Sequence, residues 1–304
     1  TLGGGGHSAA LLEAGADVTG VDRDPTAIAE AASRLEVFAD AGRFRTVLST
    51  YTDYAESGAG DIAFDGILLD LGVSSHQFDD ATRGFSFREG APLDMRMNAT
   101  TVDADQGQRF ADEYARTGAL TAADWLNESS EAEIATVLRE YADERRAPRM
   151  AAEIVRRRAN QPFAISDHLV GAIRAVLGPR SGPPDFARIF QAVRIAVNDE
   201  LGGLARALPA LRDRLTPSGV IGVITYHSGE DRLVKHALRE WSRSCTCPPR
   251  QPFCTCGGDN ALGDVVTRRA VVAAADEILR NSRARSAKLR AWRRRARRST
   301  SPGK

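Results

Sequence analysis

The stretch Phe64–Met97, FDGILLDLGVSSHQFDDATRGFSFREGAPLDMRM, constrains this chain more than any other. Ile67, Leu68 and Leu69 form a short unbroken apolar run, the pattern of a strand buried on both faces of a parallel sheet. The run ends at Asp70, and a carboxylate at the carboxyl end of such a strand stands where open α/β sheets bind ligands. Roughly thirty residues follow that read as neither strand nor amphipathic helix. They mix Gly72, Gly84, Gly90 and Pro92 with Phe85, Phe87, Asp79, Asp94, Arg83, Arg88 and Arg96. A loop this long inside a compact domain is functional or disordered, and disordered segments lack such aromatic and apolar content. The expectation is an ordered wall of an active site.

The start of the chain supplies a partner for that wall. Thr1–His7 reads TLGGGGH, an apolar helical pattern follows through Leu12, and Val18–Val21 makes a strand ending at Asp22. A glycine loop entering a helix, with an acid closing the next strand, is the nucleotide-binding half of a Rossmann-like sheet. The loop is not G-x-G-x-x-G, which disfavours a dinucleotide. A strand is expected ahead of such a loop, so Thr1 reads as a truncation point with the central strand missing. Asp24-Pro25 opens a helix, with Asp24 as its N-cap. Phe44–Leu48 is a third strand; Tyr51 beyond it suits either an adenine face or the core.

From about Ala104 to Leu177 the pattern is helical, an insertion before the next strand. Its arginines (Arg145, Arg146, Arg149, Arg156, Arg157 and Arg158) suit phosphate contacts or a solvated face with acidic partners. A Gly/Pro linker, Gly178–Pro184, precedes a long helix from Phe186 to about Leu201. Val220–Tyr226 is another buried strand. His227-Ser228-Gly229-Glu230-Asp231-Arg232 sits at its carboxyl end, facing the same edge as Gly6 and Asp70, and reads as part of the site.

Charge is unevenly placed. The net charge is +1, yet Arg280–Lys304 holds eleven of the 41 basic residues and no acid. The body is therefore acidic and the tail basic, which points to an anionic partner, nucleic acid first, or to a solvated appendage. No apolar run is long enough to span a membrane. The only cysteines, Cys245, Cys247, Cys254 and Cys256, lie in CTCPPRQPFCTC. They are kept as a zinc candidate, but C-x-C pairs depart from the usual C-x-x-C spacing, so no metal is assigned against a Pro-stiffened loop of free thiols.

The stretches TLGGGGHS, GVDRDPTAI, DGILLDLGVSS with RGFSF and PLDMRM, YADERRAPRMA, RIFQAVRIAVNDEL, YHSGEDRLVK and NSRARSAKLR run in order along nearly the whole chain. Together they resemble one family, the S-adenosylmethionine-dependent small-subunit ribosomal RNA methyltransferases H (RsmH, also called MraW). The resemblance implies an α/β fold: a Rossmann-like class I methyltransferase sheet over residues 1–100 and 186–304, with an all-helical substrate-recognition domain inserted at 101–185. It implies methylation of the exocyclic N4 amine of a decoding-centre cytidine in 16S rRNA, within the small ribosomal subunit, in the cytoplasm. It places S-adenosyl-L-methionine on Gly5, Gly6, His7, Asp22, Tyr51, Asp70 and Gln77. Departures are few: Tyr51 where Phe is common, His76 where Pro is common, Gly229 for a usual Leu, and Asp185-Phe186-Ala187 before Arg188.

The chemistry accords with this. Methyl transfer from a sulfonium is an in-line displacement whose main demand is positioning. A cytosine amine is a weak nucleophile, and an acceptor for its N–H groups would raise its reactivity. The amine-methyltransferase signature [DNS]-P-P-[YFW] is absent, so the groups expected to hold the base are Asp94, Arg96, His227 and Asp231, with Phe85 or Phe87 either stacking on it or anchoring the loop. Three rivals stand beside this reading: a nicotinamide oxidoreductase, disfavoured by GGGGH; an RNA-binding module without catalysis, disfavoured by the intact Asp22, Asp70 and HSGEDR; and a small-molecule methyltransferase, disfavoured by the basic tail and arginine cluster.

Overall fold

The computed structural model describes residues 1–57, 62–98, 120–248 and 250–296. The first part of the expected insertion (99–119) and the last basic residues (297–304) lie outside them.

Alternating strands and helices build the N-terminal part. The glycine loop leads into the helix Gly6–Glu13; then come β1 (Val18–Asp22), the helix Pro25–Arg34, β2 (Phe44–Leu48) and β3 (Phe64–Asp70). β1 and β2 pair in parallel, Asp22 opposite Leu48. β3 pairs in parallel with β4 (Leu215–Thr225), Asp70 opposite Ile224. The two pairs belong to separate hydrogen-bonded sheets. The first two residues lie between them: Thr1 Oγ1 accepts from the Asp70 amide at 2.6 Å, and the Leu2 amide donates to Asp22 at 3.1 Å. Leu2 fills the space over Gly20, where a Cβ would stand 2.6 Å from its side chain.

A mostly parallel sheet was expected, and here the structure differs. The second sheet runs β3-β4-β7-β5, with β7 spanning Lys288–Arg294 and β5 Gly263–Val265; β6 (Val271–Val272) also pairs with β7. All contacts of β7 are antiparallel. Much of the basic tail is therefore not an appendage but a strand paired on both sides. Trp292 explains this: it is fully buried, donates its indole N–H to Ser242 at 3.0 Å, and meets Trp241 edge-on at 5.2 Å. Its charged neighbours are matched locally. Arg290 forks onto Asp231, Arg295 forks onto Asp264, and Arg294 donates to the carbonyls of Asp213 and Leu215.

The helices Ala122–Glu128, Glu131–Ala142, Ala147–Arg158 and Ser166–Leu177 form the insertion. Capping boxes start the first two, Thr121 with Asp124 and Ser130 with Glu133. Their apolar faces share one core with the helix Pro183–Val197, through Phe186, Ile189, Phe190 and Val193, and with Phe85, Leu93, Met95 and Met97 of the long loop. The long loop is pinned in this core at one end and hydrogen-bonded to Asp24 at the other.

Candidate active site

Three strands deliver polar groups to one edge. β1 ends in Asp22, β3 in Asp70, and β4 runs through Thr225 into Tyr226 and His227. Gly5 takes the left-handed conformation (φ 77°) that turns the chain into the helix Gly6–Glu13. A Cβ there would press on Leu35 and Ala31 at 3.2–3.3 Å, so glycine is needed for both conformation and space. At Gly6 a Cβ would meet nothing within 4 Å, so backbone is open to a ligand there.

Asp22 holds that loop in shape. Its Oδ2 accepts from the amides of Leu2 (3.1 Å) and Gly3 (2.9 Å), and its Oδ1 from that of Asp24 (3.0 Å). Asp70 stands beside it in a polar chain. Its Oδ1 accepts from the Tyr226 hydroxyl at 2.9 Å, and its Oδ2 lies 3.3 Å from Nε2 of His7, which is half exposed on the first turn of the helix. The hydrogen bond to Asp70 raises the pKa of His7 above the ordinary histidine value, although burial works the other way. Burial, then the charge of Asp70, raises that of the Tyr226 phenol. Tyr226 was read from sequence only as the last residue of a strand; β4 in fact ends at Thr225, and the Tyr226 hydroxyl reaches Asp70, whose register partner is Ile224.

A second polar group lies under the His227 turn. His227 is the N-cap of the helix Ser228–Trp241, closing a capping box with Glu230. Glu230 accepts from the Tyr226 amide at 2.8 Å, and its other oxygen lies 3.3 Å from His227 Nε2. That contact has the distance of an ion pair but not the alignment of a hydrogen bond, and Nε2 is buried with no hydrogen-bond partner. Glu200 completes the group and forks onto Arg194 at 2.8 and 2.9 Å. Burial pushes Glu230 up, but His227, the Tyr226 amide and Arg194 together outweigh it, and its pKa falls below the ordinary value. Tyr51 borders this group: its hydroxyl donates to the Glu200 carbonyl at 3.4 Å, and its ring packs against the core under β4.

Gln77 and the long loop meet in a buried hub. Gln77 Nε2 donates to Asp24 (2.7 Å) and to the Met97 carbonyl (3.1 Å). Arg83 donates to Asp24 (3.1 Å) and to the carbonyls of Arg96 (3.2 Å) and Met97 (3.0 Å). Asn198 closes the loop from the other side through the Met97 amide and the Met95 carbonyl. Asp24 also caps its helix at Thr26, as expected. The roles of Arg83 and Asn198 had not been anticipated. At Gly84, φ 71°, a Cβ would collide with the Pro92 carbonyl where the loop crosses itself.

The groups expected to hold the base are thus differently placed. Asp94 and Arg96 lie on the pinned loop, on either side of Met95 at φ 60°, and close on one another in a fork at 2.7 and 2.8 Å. Asp231 is turned to Arg290 and Lys288 of β7, and Arg290 holds its carboxyl below the usual range. Phe85 is buried, and Phe87 meets Phe186 and Phe190 edge-on at 5.8 and 6.0 Å, so both anchor the loop rather than face a base. The insertion's arginines are partly matched within it: Arg156 and Arg157 by Glu153, Arg158 by the carbonyls of Leu126 and Ser129, Arg146 by that of Val176. The four cysteines come together at the far end of the helix Ser228–Trp241.

A glycine loop, two strand-end carboxylates and a helical insertion behind them describe a class of enzymes; comparison identifies which. The model of the MraW methylase family matches residues 1–295. The chain belongs to the MraW methylase family. It is therefore a class I methyltransferase, with the mixed sheet described above. It is 64% identical over 294 residues to the protein named ribosomal RNA small subunit methyltransferase H of Gemmatimonas aurantiaca, covering 96% of this chain and 88% of that one. Proteins of the same name in Heliobacterium mobile and Geobacter sulfurreducens are 46% and 44% identical, over 95% and 96% of this chain and 89% and 90% of theirs. Among the described residues no helix is long and apolar enough to cross a membrane.

Proposed function

We propose that this chain transfers the methyl group of S-adenosyl-L-methionine to the exocyclic N4 amine of a decoding-centre cytidine in 16S rRNA, on the small ribosomal subunit in the cytoplasm. The observation that carries the reading is the Asp22–glycine loop–Asp70 edge in a chain of this family. The residues fit the cofactor: an open backbone at Gly6 at a helix N-terminus suits the carboxylate of an amino acid, and strand-end carboxylates suit ribose hydroxyls and an amino group. When bound, S-adenosylmethionine supplies an electrophilic methyl group. Gly5, Gly6 and His7 would receive its amino-acid end, Asp22 its ribose and Asp70 its amino groups; Tyr51 and Gln77 would complete the pocket, Gln77 by fixing the wall through Asp24.

The chain's own task is to present the amine in line. The cytidine leaves its stack to reach an enclosed centre. His227 is the best placed of the residues expected to hold it, because its buried Nε2 has no hydrogen-bond partner. Asp94 and Arg96 would meet the base as a matched pair, and Asp231 acts through Arg290 to seat the helix that His227 caps.

The test is transfer of labelled methyl to 30S subunits and to naked rRNA, followed by nucleoside mass spectrometry. Label in N4-methylcytidine at one site supports the reading; label on another base, or only on small molecules, overturns it. His227→Asn retains an N-cap side chain, so it should lower turnover while S-adenosylhomocysteine affinity holds.

A further inference from the structure

Between the helix Ser228–Trp241 and β5 the chain makes an excursion with no core of its own. Among its described residues 242–261 none is buried, and Phe253 is 81% exposed. Such a segment lacks the apolar contacts that hold a loop in one shape, and small folds of this kind depend on a staple. Yet its four cysteines are gathered. Cys245 and Cys254 lie with sulfurs 3.7 Å apart, Cys254 and Cys256 3.6 Å, Cys245 and Cys256 3.7 Å, and all four within 4.8 Å of one another.

Those separations discriminate between chemistries. A disulfide requires about 2.05 Å between sulfurs, so none of the three measured pairs is bonded. Four thiolates around one zinc ion at about 2.3 Å stand at tetrahedral corners, which places neighbouring sulfurs about 3.8 Å apart. The three measured edges agree with that figure to within a few tenths of an ångström. The backbone supports the arrangement. The Thr246 amide donates to Cys256 Sγ and the Thr255 amide to Cys247 Sγ, each at 3.3 Å, so each arm solvates a sulfur of the other. Gly257 and Gly258, at φ 77° and 72°, turn the chain away just past Cys256. Asn260 Nδ2 then ties the Ser244 and Cys256 carbonyls together at 3.1 Å each. The C-x-C spacing that seemed unfavourable in the sequence is accommodated because the four ligands come from two facing arms, one pair from each.

We infer that Cys245, Cys247, Cys254 and Cys256 form a structural zinc site that fixes the excursion between the helix Ser228–Trp241 and β5. Four protein ligands fill the tetrahedron and leave no open position, so the site holds shape and performs no Lewis-acid step. Binding exchanges thiol protons for the metal, with up to about four protons released to solvent as four S–H bonds give way to four Zn–S bonds. Soft thiolate ligands in this geometry select zinc or iron over magnesium, calcium and manganese.

The test begins with full-length chain purified through a weak chelator and measured by elemental mass spectrometry. About one zinc per chain is expected, falling more than tenfold in Cys254→Ser/Cys256→Ser. Circular dichroism and S-adenosylhomocysteine binding report whether that variant folds. Should it not fold, a mercurial titration of the unmodified chain decides: zinc should appear in a coloured chelator in step with the loss of four thiols. Four thiols that react freely in a metal-free chain would overturn the proposal, as would iron in place of zinc. Zinc that survives the cysteine substitutions would also overturn it.

Discussion

The hub at Asp24 gives the most exacting test of how the wall is held. Asp24 and Arg83 form an ion pair at 3.1 Å with side chains only 3% and 5% exposed. Gln77 adds a third member at 2.7 Å, and Arg83 carries the Arg96 and Met97 carbonyls. Asp24→Leu would leave the guanidinium buried without its counter-charge and remove the cap on Thr26. Breaking a buried pair from one side costs about 3–5 kcal/mol, and a lost cap adds about 1 kcal/mol. At about 2–4 °C per kcal/mol for a chain of this order of size, the melting temperature should fall by roughly 10 °C or more. Arg83→Met should cost a similar amount. The double variant replaces the pair with apolar groups, which is often close to neutral, so it should be more stable than the sum of the singles and no worse than either. Calorimetry gives the global numbers. Hydrogen exchange at the Arg96–Met97 amides reports the local effect, since Arg83 and Gln77 hold that segment. If Asp24→Leu stays within about 1 kcal/mol of the parent chain, or if the singles simply add, the hub does not hold the loop.

Three further outcomes follow from particular contacts. Asp22→Asn turns one of the two carboxylate oxygens into a donor, facing either the Leu2 and Gly3 amides or that of Asp24; S-adenosylhomocysteine affinity should drop by about 1.5–3 kcal/mol, the worth of hydrogen bonds to a charged group, and unchanged titration calorimetry would remove Asp22 from the cofactor site. His7 has a folded-state pKa raised by Asp70 above 6.5, so the stability it contributes is complete below pH 6.5 and fades as pH rises through the raised value. NMR titration should place its midpoint above 6.5 in the parent and lower it in Asp70→Asn; equal midpoints would deny the pairing. Trp292→Ala empties a fully buried indole site under β7 and should cost about 3–5 kcal/mol, while removal of 288–296 should abolish the fold by circular dichroism; a folded truncation with only weaker, less salt-dependent RNA binding would return the tail to the role of an appendage.

The parts of the fold legible in the sequence are those set by near neighbours. Asp24-Pro25 announces a helix start because the cap and the proline act within one turn. The apolar run at Ile67–Leu69 announces β3, and the glycine loop with Asp22 announces a nucleotide half, because each signal lies within one βα unit. β7 was not legible. KLRAWRR is dominated by cations, and its burial depends on Asp231 and on carbonyls of residues 213 and 215, dozens of positions away. Anchoring of the loop by Phe87 was one of the two readings open in the sequence, but its partners Phe186 and Phe190, about a hundred residues on, were not legible there. The contact of Tyr226 with Asp70 was equally out of reach, because it depends on β3 and β4 pairing with Asp70 opposite Ile224 and on a side chain 156 positions away turning back past the strand end.

The same physics explains why so many polar residues of the site bind one another. Ordering a loop costs about 1–2 kcal/mol per residue in backbone entropy, and the Phe64–Met97 stretch has little regular structure beyond its strand to offset that. Its apolar residues Phe85, Leu93, Met95 and Met97 are pinned by the helical core. The rest is held by side chains used as braces: Gln77 and Arg83 on Asp24, Asp94 on Arg96, Asn198 on Met95 and Met97. Asp22 does the same for the glycine loop. A reaction that required several free acids and bases would be poorly served by such an edge, because braced carboxylates are poor proton carriers. Methyl transfer from a sulfonium is served well by it: alignment dominates the barrier, and a rigid wall supplies alignment. On this argument the braces and the chemistry are linked, and loosening Asp24, Arg83 or Asn198 should lower turnover through misalignment even where cofactor affinity is retained.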